Sequence, residues 1–170
     1  MIHLEPAPVS NILGGVALLC YIITLLPTIL RVVFPKFKQT GIPKLLLKHR
    51  RTVGILAFIF AFGHGYLLIK KRNIDWLDIN TSWIYIQGVV TFTIFTLLAI
   101  TSNDWSVKKL KKNWKRLHQL TYWCMFLLVW HVWEKMAGHW TYVTLASSIF
   151  LPILSILFLI RRWKERNRKK

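Results

Sequence analysis

Residues 49–67 read HRRTVGILAFIFAFGHGYL. A charged run, His49, Arg50 and Arg51, opens the stretch, and the chain then stays largely apolar until Lys70 and Lys71. At about 1.5 Å per helical residue, a span over about 52–70 covers roughly 28 Å, close to the thickness of a bilayer's hydrocarbon. The segment does not alternate with period two as a barrel strand must, and an open strand in lipid would leave its backbone polar groups unpaired; it reads as a helix. One ionisable residue, His64, lies inside it between Gly63 and Gly65. An imidazole is costly in hydrocarbon and marks a functional position facing a bundle interior.

Four further apolar blocks of similar length occur, at about 12–34, 83–102, 116–134 and 141–160. With 54% of its 170 residues apolar and 18% charged, the chain carries too much oily surface for one soluble core. The expected fold is an all-α integral membrane bundle of five transmembrane helices, one domain over 1–170. Pro27 is expected to kink the first helix, and the segment with Pro35, Gly41 and Pro43 reads as an exposed basic loop. Met1 to Asn11 has no basic n-region, and the block after it exceeds a signal-peptide core, so it reads as a retained helix.

The net charge of +18 suggests nucleic acid only until its distribution is read. Twenty of the 24 basic residues fall in three clusters, Arg31–Arg51, Lys108–Arg116 and Arg161–Lys170. In a five-helix topology all three lie on one side, and basic loops stay in the cytoplasm; the N-terminus therefore faces outward and the C-terminus inward. Anionic lipid heads or an acidic cytosolic donor suit these clusters, and no nucleic-acid partner is expected. Cys20 and Cys124 both sit in apolar blocks and read as packing residues, without a disulfide framework or a cysteine metal site.

His64, His118 and His131 are the intramembrane imidazoles. His64 lies thirteen residues after Arg51, and His131 lies fifteen after Arg116, which places them roughly 20 and 22 Å above the inner boundary on helices running in one direction. Imidazoles matched in depth on two parallel helices suit the opposite faces of one haem iron, and Gly63 and Gly65 remove bulk where a macrocycle would approach. The plainer reading is polar glue between helices. His118, about 20 Å below His131, suits a second haem. Thirteen residues leave those two side chains some 140° apart on an ideal helix, so a bulge or a different approach angle is required.

On the second helix, His49 is the candidate partner for His118, although it lies among charges at the membrane edge. Arg50 and Arg51 cannot be ordinary iron ligands and instead suit haem propionates or a flavin phosphate. Trp76, Trp83, Trp105, Trp114, Trp140 and Trp163 fit the interfacial belts, whereas Trp123 and Trp130 lie deeper, to fill the bundle or flank a porphyrin. His3 and His139 read as solvated.

HRRTVGILAFIFAFGHGYL at 49–67, LLAITS at 97–102 and WKRLHQLTYWCMFLLVWH at 114–131 resemble the ferric reductase-like transmembrane domain family. Within it the likeness is greatest to the haem-binding membrane subunits of bacterial periplasmic methionine-sulfoxide reductase systems. The resemblance covers about half the chain. It implies haem b at His64, His118 and His131, with electrons passing from a cytosolic flavin reductase or membrane quinol to a redox acceptor or partner protein on the outer face. A bacterial inner membrane, or a photosynthetic one, is the expected setting. The family's typical bundle has six helices; here the first is expected to be missing. Its more distant relatives add a flavin and nicotinamide domain, which the short basic tail after the fifth helix does not provide. Two other function classes compete: a haem-free accessory or assembly subunit, and a proton-conducting bundle. The second ranks last because no carboxylate lies deep in any span.

Overall fold

The computed structural model of the chain describes residues 4–71, 79–135 and 140–168. His3, the loop holding Trp76 and Asp78, and the turn through Gly138 and His139 lie outside them. Among the described residues the architecture is helical except for a two-residue parallel bridge, in which β1 (Leu4–Glu5) pairs with β2 (Trp140–Thr141). Five long helices carry the fold: α1 (Val9–Val33), α2 (Ile42–Lys71), α3 (Ile79–Ile100), α6 (Leu120–Lys135) and α7 (Tyr142–Asn167). A 3-10 turn, Pro35–Lys38, follows α1, and two short helices, α4 (Asp104–Leu110) and α5 (Lys112–His118), precede α6.

The long helices close into a ring. α1 packs on α2, α2 on α3, α3 on α6, α6 on α7, and α7 back on α1. Consequently α2 and α6 face each other across the ring. Leu25, Ile29, Cys124, Met125 and Leu151 form the tightest part of its interior, with Tyr21, Ala57, Phe95 and Phe158 around them. The outer surface is the apolar one: Leu19, Ile59, Phe62, Ile69, Val89, Ile100, Phe150 and Ile156 are all exposed. A belt of that extent would be untenable in water and is what lipid requires.

α1 runs through the buried Pro27; Thr24 and Thr28 return their hydroxyls to the carbonyls of Tyr21 and Leu25 around the site of the missing N–H. Other expected features are corrected. α2 starts at Ile42 rather than at the charged run Lys48–Arg51, so Lys44, Lys48, His49, Arg50 and Arg51 ride on its first turns. The expected loop after residue 102 is instead helical. Asn103 caps α4 by accepting from the Ser106 N–H at 2.7 Å, and α4 leaves α3 at 95°. Among the described residues three helices qualify by length and apolarity to cross a bilayer, α1, α2 and α7, and a fourth qualifies if α3 and α4 count as one broken span. α6, at 16 residues, is short for a span on its own. It follows α5 with Gln119 as a single intervening turn residue. All-α integral membrane architecture stands.

The three basic clusters gather at one end of the ring. Arg51 Nη2 pairs with Asp104 Oδ1 at 2.8 Å, Lys164 Nζ donates to the Val33 carbonyl at 3.1 Å, and Arg161 donates to Tyr122 Oη at 3.0 Å. Arg51 beside the exposed Asp104 holds that carboxyl below its usual range. The β1–β2 bridge closes the opposite end.

Candidate functional site

Among the described residues the candidate histidines line two cavities, one toward each end of the ring. The outer one has a volume of about 530 Å³ and takes both His64 from α2 and His131 from α6 into its lining, with Gly65, Gly88, Thr91 and Phe92 among the residues around them. The inner one encloses about 680 Å³ and is lined by His118, Arg50, Arg51, Lys115, Arg161 and Arg162 below an apolar roof of Ala57, Phe95, Leu98, Phe126 and Phe158. Phe95 borders both. It is buried and lies against Tyr21, their ring centroids 5.3 Å apart.

His64 is positioned by α1. Its Nδ1–H donates to the Ser10 carbonyl at 2.6 Å, which puts the ring's lone pair on Nε2, because a carbonyl can only accept. α1 comes this close because residue 14 is glycine. A Cβ there would lie 2.9 Å from His64 Nδ1 and 3.0 Å from Cε1. Gly15 is equally constrained: a Cβ would run into Val143 of α7. On the far side Gly88 of α3 lies against His131, 3.4 Å from Cε1 to where its Cβ would be.

The two glycines flanking His64 behave differently from one another. Gly65 borders the cavity with open space where a side chain would start, whereas Gly63 packs on Leu13. Sequence reading therefore found one relevant glycine of α2 and missed Gly14 and Gly88 on the neighbouring helices. The Gly14–Gly15 doublet inside an apolar span was the available signal, since small residues in membrane helices mark close approach. It also missed Glu134, at the outer cavity wall, whose Oε2 accepts from Gln87 Nε2 at 2.6 Å.

His118 has a different setting. Its ring stacks on Trp114 with centroids 4.0 Å apart, and Nε2 lies 3.1 Å from Thr101 Oγ1. The Thr101 hydroxyl proton goes to the Leu97 carbonyl at 2.6 Å, so the imidazole donates to Oγ1 and carries its lone pair on Nδ1. The turn at Gln119 separates His118 from the helix that bears His131. His49, the expected partner of His118, is exposed and does not line the inner cavity. Trp130 is 44% exposed and Trp123 is 68% exposed, so neither fills the bundle; Trp123 borders only the inner cavity.

The outer cavity suits a bis-imidazole porphyrin by its chemistry: two rings from opposite sides of the ring of helices, apolar walls, glycines at the pinch points, and a buried Thr91 hydroxyl that has no partner among the described residues. A family model, ferric reductase like transmembrane component, matches residues 13–129. The chain belongs to that family. Similar curated proteins include the protein-methionine-sulfoxide reductase heme-binding subunits MsrQ of Brucella melitensis biotype 2 and Brucella ovis. Each is 36% identical over 118 residues, covering 66% of this chain and 50% of the relative. The chain thus spans about half the length of the curated relatives it matches. No solved structure matches.

Proposed function

We propose that this chain is a membrane electron carrier that holds haem b in the outer cavity between His64 and His131. The observation that carries the proposal is the presence of both imidazoles on one apolar cavity, from helices that face each other across the ring. Family membership and the heme-binding name of the MsrQ relatives support it. Haem iron supplies a one-electron couple that needs no rearrangement of the protein. The chain's part is to fix ligation and dielectric. Ser10 orients His64 and raises its basicity through Nδ1, as outer-shell carbonyls do for metal-bound imidazoles. Gly65 and Gly88 leave room for a flat ring, and the lipid-like walls exclude water. Held by the two imidazoles, a haem there would favour electron transfer over oxygen chemistry at the metal.

In the inner cavity His118 would hold a second haem, and Arg50 and Arg51, with Arg161 and Arg162, would pair with its propionates; the same arginines suit a flavin phosphate at the cytoplasmic face. Five crossings, with the N-terminus out and the C-terminus in, put this basic end in the cytoplasm. Electrons then enter there from a flavin reductase or quinol and leave outward to a redox partner. A membrane potential negative inside favours that direction by about 2.3 kcal/mol per charge per 100 mV for a full crossing. The setting that suits this direction is a bacterial inner membrane, in keeping with the bacterial source of the similar MsrQ proteins.

The test is the visible spectrum of the purified chain. Dithionite reduction is expected to give a sharp α-band, and His64→Ala and His131→Ala should each abolish the outer-haem absorbance. If both variants retain full haem content, the ligand assignment is wrong; a colourless native protein would leave the haem-free accessory role.

A further inference from the structure

Gln87, Gly88 and Thr91 fall on one face of α3. Gln87 bonds Glu134 and Gly88 lies against His131, both on α6, and Thr91 lines the outer cavity with that histidine. Two polar side chains are buried on this face, Gln87 at 4% exposure and Thr91 at 6%. Gln87 Oε1 and Thr91 Oγ1 have no hydrogen-bond partner among the described residues. Thr91 departs from the habit of its own helix, because Thr93, Thr96 and Thr101 each return the hydroxyl to the carbonyl four residues back. Buried oxygens left unbonded cost stability, and two of them beside an imidazole point to a bound group that they serve.

Glu134 decides which end of the Gln87 amide is left over. A carboxylate can only accept, so the amide nitrogen faces Glu134 Oε2, at 2.6 Å, and the amide oxygen is the end that remains. Glu134 lies three residues after His131, on the same side of α6. The other ligand is served in a comparable way, since α1 supplies the Ser10 carbonyl to His64 Nδ1. For His131 the neighbouring helix is α3, and the oxygens it brings are those of side chains.

We propose that Gln87 and Thr91 are the positioning residues of His131: their buried oxygens hold one water that accepts from the imidazole N–H not directed at the iron, and Glu134 keeps the Gln87 amide from flipping. The inference rests on the outer-haem reading above. Neither oxygen bonds a ring nitrogen directly, and a buried water with three polar partners makes the link. It accepts from the N–H and donates one hydrogen to each oxygen. The chain from carboxylate through amide and water to imidazole raises the basicity of the ligand, as outer-shell acceptors do, and so favours ferric over ferrous iron.

The experiment is a redox titration of the full chain in detergent, following the haem absorbance that His131→Ala removes and measuring haem per chain alongside. Gln87→Leu and Thr91→Val, each close to the native side chain in volume, are expected to keep the haem and raise its midpoint potential. For Gln87→Leu the rise corresponds to about tenfold in the ferric-to-ferrous ratio, or about 59 mV for one electron. Thr91→Ser should titrate as the native protein does, and so should Thr93→Ala, whose hydroxyl is returned to the Val89 carbonyl. Glu134→Gln should raise the potential in the native background but not on top of Gln87→Leu; equal rises in both would mean a charge acting through space and would overturn the chain. A native potential in both Gln87→Leu and Thr91→Val would overturn the positioning role while leaving haem between His64 and His131. Should Gln87→Leu fail to accumulate, Thr91→Val decides. Absence of haem from the native protein would overturn the proposed function instead.

Discussion

Gly14 governs His64 more directly than either of the glycines beside that histidine. Any side chain at position 14 must displace the imidazole, because the methyl carbon alone would lie 2.9 Å from Nδ1, inside normal van der Waals contact. Gly14→Val is therefore expected to break the hydrogen bond to Ser10 and to lose most of the outer haem. Gly65→Ala, which meets open space, should keep it. Haem per chain and the reduced α-band compare the two; equal loss, or no loss in Gly14→Val, would dismiss the role of α1 in orienting the ligand. The tautomers make a related point. His64 and His118 donate from different nitrogens, Nδ1 to a carbonyl and Nε2 to a hydroxyl, so their lone pairs differ in reach from the helix backbone.

At the scale of elements, the segment between α3 and α6 shows how charge and capping shape the inner end. α4 begins on an Asn103 cap with Asp104 in its first turn, where the helix dipole favours a carboxylate. It ends at Lys111, whose φ of 48° and ψ of −115° form a combination that a Cβ opposes. Lys111→Gly is expected to stabilise the protein by about 1 kcal/mol. Asn103→Ala should destabilise it by about the same amount through loss of the cap. Thermal unfolding in one detergent reads both; a lower Tm for Lys111→Gly would show that the lysine side chain contributes more than its backbone geometry costs. On the other side of the ring, Thr141 and Thr144 form a reciprocal capping box at the start of α7, which fixes the helix just after β2.

For the whole molecule, the gathering of the basic clusters at one end makes topology testable. In a background with Cys20 and Cys124 replaced by alanine, a cysteine at Lys112 should react with a membrane-impermeant maleimide only after the cytoplasmic face is opened. A cysteine at Tyr142 should react from outside intact cells. Labelling of both positions from one side would reject five crossings. The ring order also explains why the histidines meet: α2 and α6 are separated by α3 along one arc and by α1 and α7 along the other, leaving a central space that neither helix fills by itself.

Hydrophobic blocks, charge clusters and the depth of each histidine were legible in the sequence because a bilayer acts as an external ruler. It imposes a length on every span and a cost on every buried charge, and both can be read one residue at a time. The chain's helical class and the candidates His64, His118 and His131 came from that reading. The start of α2 was misjudged because charged residues lie comfortably in an exposed helical turn. Only the tertiary structure decided which residues share a cavity. It brought His64 and His131 to one cavity, left His49 outside, and turned Trp130 outward. It also assigned Gly14 and Gly88, distant in sequence, to the two imidazoles. Those outcomes depend on how close neighbouring helix axes come and how each helix is rotated, quantities that arise from side chains meeting across the ring and have no counterpart along the chain.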